Sequence, residues 1–422
     1  MISKACIVKR LIIIIFLILI PTSLFGFYGD GSGRSFIDFL MDRYQLRART
    51  DQIGVLYGFG IGDGDFRFGL GFTGTTSGIF FDNFTNDYSE SEKLRIYFRP
   101  GVSLALGYKS DLISVGVGYQ FKYIDTNYMV HTPALMLTAM DNTLRFNIPV
   151  AIGVGKRTVR NTMIVSTAIE ARYYFHKFMD YLTQLRVYFQ YGYARIGWAQ
   201  KLYDEGMTNI DPNNKNIFKE QSSLTVDFRA YFQFETEKGL SIEPYIRVLY
   251  GTALETVENQ NGYLRRYPGN NFNITAYGFS PGSLGIAPGE QEELSGGYIS
   301  STPAIPSPQG LFAIGGIYRV GLALPLGLRA STDLIGLYLE PSLSLTLISG
   351  KSISLMNMNK KGPFITFGYV VYAELFITPI PDLELYLELQ TGGATRWGNL
   401  DAAYNTGTAL VFNTSAGIAW YF

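Results

Sequence analysis

Few residues of this 422-residue sequence combine type and spacing in a way that could support chemistry. Gly69-Leu-Gly-Phe-Thr-Gly74 has the GxGxxG spacing of a phosphate-cradling loop. That chemistry needs a strand before the glycines and a helix N-terminus after them. Here they sit inside an alternating strand pattern, which predicts close backbone packing and no nucleotide. The two histidines, His131 and His176, fall on different predicted hairpins, so a zinc site could draw at most two ligands from them. A hydrolase needs a base beside a nucleophile or acid. His176 falls in a predicted turn, and His131 has no evident partner in the sequence. Asp204-Glu205 and Asp211-Pro-Asn-Asn214 offer oxygens but lack the spacing and the Gly of a calcium loop. No catalytic, cofactor-binding or metal-binding residue is therefore assigned, no cofactor is expected, and the chain reads as a non-enzyme.

Composition points the same way. Lys+Arg and Asp+Glu are both 35, so the formal net charge is zero and no nucleic-acid partner is expected. Charged residues make up 17%, below the roughly 25% typical of soluble domains, while 30 Tyr, 30 Phe and 46 Gly are present. After residue 26 no run reaches the ~18 apolar residues of a spanning helix. An aromatic, Gly-rich chain without long apolar runs fits many short amphipathic strands.

Residues 1–26 have the layout of a signal peptide: Lys4, Lys9 and Arg10, an apolar run over 11–20, then a Pro- and Gly-bearing end at Gly26. The only cysteine, Cys6, lies within this segment, so cleavage would leave a chain without thiol or disulfide chemistry. Phe36, Phe39, Leu40 and Arg43 have helix-like spacing. Residues 27–50 therefore read as a short N-terminal helix or plug, periplasmic or lumenal, with a frayed tail as the alternative.

From residue 51 to 422 the period is two. Phe66, Phe68, Leu70 and Phe72 alternate with Arg67, Gly69 and Gly71; Val115, Val117, Tyr119 and Phe121 oppose Gly116, Gly118 and Gln120. One face is apolar and uncharged, the other mixes Gly, Ser, Thr, Asn and charges, and the pattern recurs to the last residue. A tilted ten-residue strand spans about 25 Å of bilayer. Closure is what satisfies strand edges in lipid, so the fold expected is all-β: a single transmembrane antiparallel β-barrel in outer-membrane lipid. The final strand closes on Phe422, which resembles the C-terminal signature of bacterial outer-membrane barrels and implies the barrel-assembly machinery as a partner.

Short turns and longer outer connections alternate in such barrels. Counting back from Phe422 predicts outer loops at 198–221, 251–310, 349–362 and 391–406, with inner turns at 236–239, 325–332 and 378–381. The first hairpin requires a further strand near 79–84. The total is about sixteen strands, or about fourteen if that hairpin is partly lumenal. The 251–310 segment is rich in Gly, Pro, Ser and Asn, a composition that favours exposure outside over folding into the lumen.

Charges that share the lumenal parity are unevenly distributed. Arg95, Arg99, Lys122, Arg145, Arg172 and Arg186 lie on early and middle strands, and Glu340, Glu374, Glu384 and Glu388 on late ones. Asp227/Arg229 and Glu243/Arg247 fall between. A basic arc facing an acidic arc would filter solutes in an open pore; alternatively, these charges neutralise one another in a packed interior.

Phe27-Tyr-Gly-Asp30, Ser35-Phe-Ile-Asp-Phe-Leu40 and Gln45-Leu-Arg-Ala-Arg-Thr-Asp-Gln-Ile-Gly54 resemble the mature N-terminus of the variable surface proteins of the spirochaete Brachyspira. The resemblance covers about thirty residues and implies a bacterial outer membrane with loops displayed to a host; it brings no catalytic or ligand residues. The expected role is a surface antigen in contact with host molecules or antibodies, with a general diffusion porin as the alternative. A homo-oligomer is compatible with either.

Overall fold

Alternating side chains on a pleated backbone give each strand one apolar and one polar face, and the chain assembles these strands in sequence order. The computed structural model describes residues 52–76, 98–125, 128–155, 163–175, 180–197, 218–237, 239–260, 263–268, 271–275, 278–281, 311–313, 317–350, 353–355, 363–381, 383–397 and 411–420. The signal peptide, the 27–50 segment, Arg95, His176 and the candidate calcium residues at 204–214 lie outside them.

The wall opens with β1 (Gln52–Ile61) and β2 (Gly64–Thr76), a hairpin in which Gly62 takes φ +61°. Then come β3 (Phe98–Ser110), β4 (Ile113–Asp125), β5 (Tyr128–Ala139), β6 (Leu144–Gly155), β7 (Met163–Tyr174), β8 (Leu182–Gly197) and β9 (Phe218–Phe232), each antiparallel to its predecessor. β10 (Phe234–Glu237) continues β9 and pairs with β11 (Leu240–Ala253), which also pairs with β9. β12 (Glu255–Gln260) and β13 (Tyr263–Pro268) form a hairpin that prolongs β11, with β12 still bonded to β9. β14 (Asn271–Thr275) and β15 (Gly278–Pro281) make a separate two-stranded sheet. After β16 (Leu311–Ala313), the wall resumes with β17 (Ile317–Ser331), bonded to β11, and β18 (Ile335–Gly350). β19 (Ile353–Leu355) pairs with β16 off the wall, and β20 (Phe364–Ile380), β21 (Leu383–Trp397) and β22 (Val411–Trp420) continue it. Removing β10, β12 and β13 from this eighteen-stranded sheet leaves fifteen wall strands among the described residues.

Two sequence expectations change here. β2 bonds directly to β3, from Gly64↔Ser110 to Thr76↔Phe98, so the wall needs no further strand between them, and the expected strand at 79–84 lies outside the described residues. Strands also run further than side-chain alternation reveals: Pro325–Ser331 belongs to β17, not to an inner turn, and Thr391–Trp397 belongs to β21, not to an outer loop. The reason is chemical. In Thr391-Gly-Gly-Ala-Thr-Arg-Trp397 two glycines carry no side chain to mark a face, so the ladder continues where the pattern goes silent.

The wall is inside-out relative to a soluble domain. Outward Leu106, Val117, Phe189, Val248, Leu324 and Leu343 are 42–53% exposed, each retaining over a third of its surface. Inward Thr132, Thr138, Asn147, Thr225 and Thr346 are buried. In water such an apolar outer surface would be unsustainable; in a bilayer it is the lipid belt. Aromatic clusters mark the rim that carries the short turns: Phe59 stacks on Phe66 (5.9 Å), Phe66 meets Tyr108 (5.2 Å), and Tyr181 stacks on Phe234 (5.3 Å). Toward the opposite rim, His131 sits 5.3 Å from the Phe121 ring and hydrogen-bonds Tyr119 through Nδ1 at 2.6 Å. That places it in an aromatic cluster toward that rim.

Candidate lumenal charge site

The register of β6, β7, β8, β9 and β11 brings five arginines into one line. Arg145 lies opposite Arg172, Arg172 opposite Arg186, Arg186 opposite Arg229, and Arg229 opposite Arg247. All five share the inward parity. Like charges directly opposite on neighbouring strands, ~5 Å apart, oppose strand pairing, so the adjoining rows must offset the cost.

Both do. The row toward the long-loop rim reads Asn147, Glu170, Tyr188, Asp227, Leu249. Glu170 accepts from Arg172 Nε and, at 3.2 Å, from Arg172 Nη2. Asp227 Oδ2 accepts from Arg229 Nη2 and from Arg247 Nη2, each at 2.8 Å, so one carboxylate holds two guanidiniums. The row toward the short-turn rim supplies rings: Tyr174 lies opposite Gln184, Gln184 opposite Tyr231, and Tyr231 opposite Tyr245. Arg145 lies 4.5 Å over Tyr174 and Arg186 4.6 Å over Tyr231, while Arg229 lies 4.6 Å over Tyr188. Guanidinium planes resting on aromatic faces are both stabilised and fixed in orientation.

Arg229, Arg247 and Asp227 are 0–1% exposed, and Glu170 is fully buried. The cover is β14, which lies against β7, β8, β9 and β11. On those same strands outward Phe189, Phe228, Val248 and Tyr250 remain exposed while the inward side chains are buried, so the β14–β15 hairpin lies on the lumen side. This corrects the expectation that the whole 251–310 segment stands outside. β11 carries wall structure to Ala253, β12–β13 extends it, and the chain then turns inward. Polarity misled because a charged lumen is as hospitable to a polar hairpin as water is.

The late strands hold the carboxylates by hydroxyls. Glu340 accepts from Tyr338 at 2.6 Å, Ser342 at 3.3 Å and Tyr245 at 3.4 Å, the last reaching from β11 past β17. Glu374 accepts from Tyr372, and its backbone lies opposite that of Glu388. Glu384 is half-buried on β21. The two-arc expectation therefore needs revision. Arg145, Arg172 and Arg186 do come together, but Lys122 sits in a different row, opposite Gly101 and Val130, and Arg99 lies opposite Thr75. Glu170 interrupts the basic arc. On β17, buried Arg319 and exposed Arg329, the latter bonded to Glu243 at 3.0 Å, stand next to the acidic one. Glu243 thus serves Arg329, and Arg247 belongs to Asp227. The Glu170–Arg172 pair was readable from its two-residue spacing, the same as Asp227–Arg229.

A family model described as Serpulina hyodysenteriae variable surface protein matches residues 8–271 and 317–421. The chain belongs to that family. The match bears out the N-terminal resemblance and extends it over most of the variable surface protein chain. Among solved structures, the beta domain of the Bordetella autotransporter Brka is similar over 78% of this chain and 93% of that one, with 10% identity and a TM-score of 0.31. OmpT, an outer membrane protein of Vibrio cholerae, is similar over 86% and 99%, with 10% identity and a TM-score of 0.32. No curated protein matches. The lipid-facing belt and the family membership together make this variable surface protein a β-barrel surface protein of the bacterial outer membrane.

Proposed function

We propose that the barrel is a scaffold whose outer connections act as surface antigen and host-contact loops. The observation that carries this reading is the asymmetry of the two rims. At one rim the wall strands are joined by residues 62–63, 111–112, 140–143, 175–181, 238–239, 332–334 and 381–382, two to seven residues each. At the other, 126–127 and 156–162 are short, but five connections are long: 77–97, 198–217, 254–316, 351–363 and 398–410. Long extracellular loops and short periplasmic turns are the usual arrangement, and loops on a rigid scaffold tolerate sequence change without loss of the fold. Protease treatment of intact cells tests it: cleavage within 198–217 and 398–410, with the wall strands protected, is the expected result. Protection of every long connection on intact cells, with cleavage only after the outer membrane is opened, would sink it. No catalytic step enters this reading.

A pore is the second reading, and one observation favours it. Inward Arg145, Arg186, Glu374 and Glu384 keep partial exposure, whereas Asp227, Arg229 and Arg247 are sealed. The hairpin thus covers one sector of the lumen and leaves water access to another. Steady single-channel conductance of the refolded chain supports a pore, and a silent bilayer from a folded barrel refutes it.

A further inference from the structure

We propose that residues 40–49 dock between β1 and β22 as a further wall strand that closes the barrel. The proposal holds equally for a scaffold and for a pore.

Strand direction carries it. Residues 62–63 join β1 to β2 at the short-turn rim, so β1 runs toward that rim. β22 follows the long connection 398–410, so it runs toward the same rim. The first and last of the fifteen wall strands are therefore parallel, whereas every bonded pair of wall neighbours is antiparallel. Among the described residues β1 bonds only to β2, and β22 only to β21. Open strand edges do not persist in hydrocarbon, and one strand of opposite direction satisfies both. β1 begins at the long-loop rim with Gln52, so a hairpin partner immediately before it has that direction.

Exposure on β1 marks an uncovered side. Tyr57, in its middle, is 62% exposed, while outward Tyr119 and Tyr191 within the wall keep 39% and 38%. Gly58 and Gly60, of the opposite parity, are exposed as well.

The sequence supplies the occupant. Tyr44, Leu46 and Ala48 alternate with Arg43, Gln45, Arg47 and Arg49. Pairing around a two-residue turn, Thr50-Asp51, sets Arg49 opposite Gln52, Leu46 opposite Val55 and Tyr44 opposite Tyr57. Residues directly opposite share a face, so the apolar parity joins Tyr57 on the lipid side. Leu40 continues that parity opposite Ile61, and Asp42 is its one charge, near the short-turn rim. The helix-like spacing of Phe36, Phe39, Leu40 and Arg43 overlaps this start, which the proposal reads as strand. The arginines fall on the lumenal parity, which on β1 holds Gly54, Gly58 and Gly60. On the far side, Glu384, Tyr386 and Glu388 lie opposite Ala419, Gly417 and Ser415 of β22, so small residues occupy that parity there too. Two small-residue flanks suit a strand with long lumenal side chains. On the nearby strands β20 and β21, Glu374 and Glu384 carry the opposite sign to those arginines.

The test is disulfide cross-linking of the refolded full-length protein in a Cys6→Ser background. Leu46→Cys is combined in turn with Thr414→Cys, Ala416→Cys and Ile418→Cys, and oxidation is read by gel mobility. One β22 position is expected to cross-link at least tenfold more than the others. With Tyr44→Cys in place of Leu46→Cys the maximum should move two residues toward the C-terminus, as antiparallel pairing requires. Val55→Cys on β1 should cross-link to none of the three, because an intervening strand holds the two backbones about 10 Å apart. Direct cross-linking of position 55 to β22 would overturn the proposal, since β1 would then meet β22 unaided. Disulfide-linked dimers through position 55 would also overturn it, by showing a second copy on that edge. So would the absence of any link from positions 44 and 46 to β22 in a barrel folded by its gel mobility. Amide hydrogen exchange of the unsubstituted chain needs no cysteine: protection over 40–49 equal to that of β1 is expected, and rapid exchange there in a folded barrel would refute the strand.

Discussion

Arg229 and Arg247, directly opposite one another on β9 and β11, share the single carboxylate of Asp227. The three side chains are essentially without solvent contact, beneath a hairpin that folds into the lumen. Most of what is specific to this barrel follows from how such like-charged neighbours are reconciled.

Asp227→Asn should be among the most damaging single changes in the wall. It leaves two buried guanidiniums facing an amide. Removing one partner of a buried ion pair costs about 3–5 kcal/mol. A large drop in the temperature at which the folded gel band converts to the unfolded one is the expected readout. Substituting Asp65, whose contact with Arg67 is long (3.8 Å) and half-exposed, should leave that temperature nearly unchanged.

The hydroxyl-held carboxylate should behave in graded fashion. Tyr338 donates to Glu340 at 2.6 Å and Tyr245 at 3.4 Å. Hydrogen bonds to charged groups contribute about 1.5–3 kcal/mol when well made. Tyr338→Phe should therefore destabilise by about that amount and Tyr245→Phe by less, in urea unfolding of the refolded protein. The reverse order would show that the ring packing of Tyr245 on Tyr231 at 4.6 Å, retained in Phe, is not the main role of that residue.

How much of this was legible in the sequence follows from what alternation encodes. Period two assigns each residue to a face, and it placed Arg145, Arg172 and Arg186 inward together with Glu340 and Glu374. Alternation carries no information on height along the barrel axis. That height depends on turn lengths and on register shifts such as the one between Leu182 and Gln184, where β8 slips against β9. The line from Arg145 to Arg247 is therefore invisible until the register is fixed. The inward hairpin was hidden for another reason: Asn271-Phe-Asn-Ile-Thr275 has the composition of an exposed loop, and only its contact with four wall strands reveals its place.

On the lipid face, Leu343→Arg should impair insertion. Leu343 lies in the middle of β18 and is 53% exposed toward the bilayer. An arginine near the midplane of such a belt costs about 2–4 kcal/mol. The measurement is the folded yield in lipid vesicles, with Asp333→Arg at the short-turn rim as a control expected to fold normally. Equal yields would mean that this stretch of β18 does not face hydrocarbon.

Gly239→Ala tests the turn that returns β10 to β11. Gly239 has φ +81°, and a Cβ there would lie 2.4 Å from the Ser331 carbonyl oxygen on β17. The Gly239 carbonyl also accepts from the Ser331 backbone N–H at 2.7 Å, so the turn cannot back away without losing that bond. Left-handed strain and the clash add, giving a loss of about 1–3 kcal/mol. A comparable thermal shift is the expected result, whereas Gly58→Ala, with its nearest neighbour at 3.5 Å, should be nearly silent.

The hairpin's place in the lumen can be read by accessibility, independently of any current. Thr225 on β9 points inward and is 1% exposed, while Phe228 on the same strand points outward. In a Cys6→Ser background, Thr225→Cys should resist a water-soluble maleimide in the folded barrel. Replacing residues 271–281 with a short Gly-Ser linker removes β14 and β15 from the face of β7, β8, β9 and β11. Labelling at position 225 should then become rapid, with the barrel still folded by gel mobility, because wall pairing involves neither strand of the hairpin. The same deletion should raise conductance if the free sector already conducts, since the sector now sealed over Asp227 would open to water. Unchanged protection at position 225 after the deletion would mean that the wall side chains themselves fill this sector, and that the hairpin only rests on them.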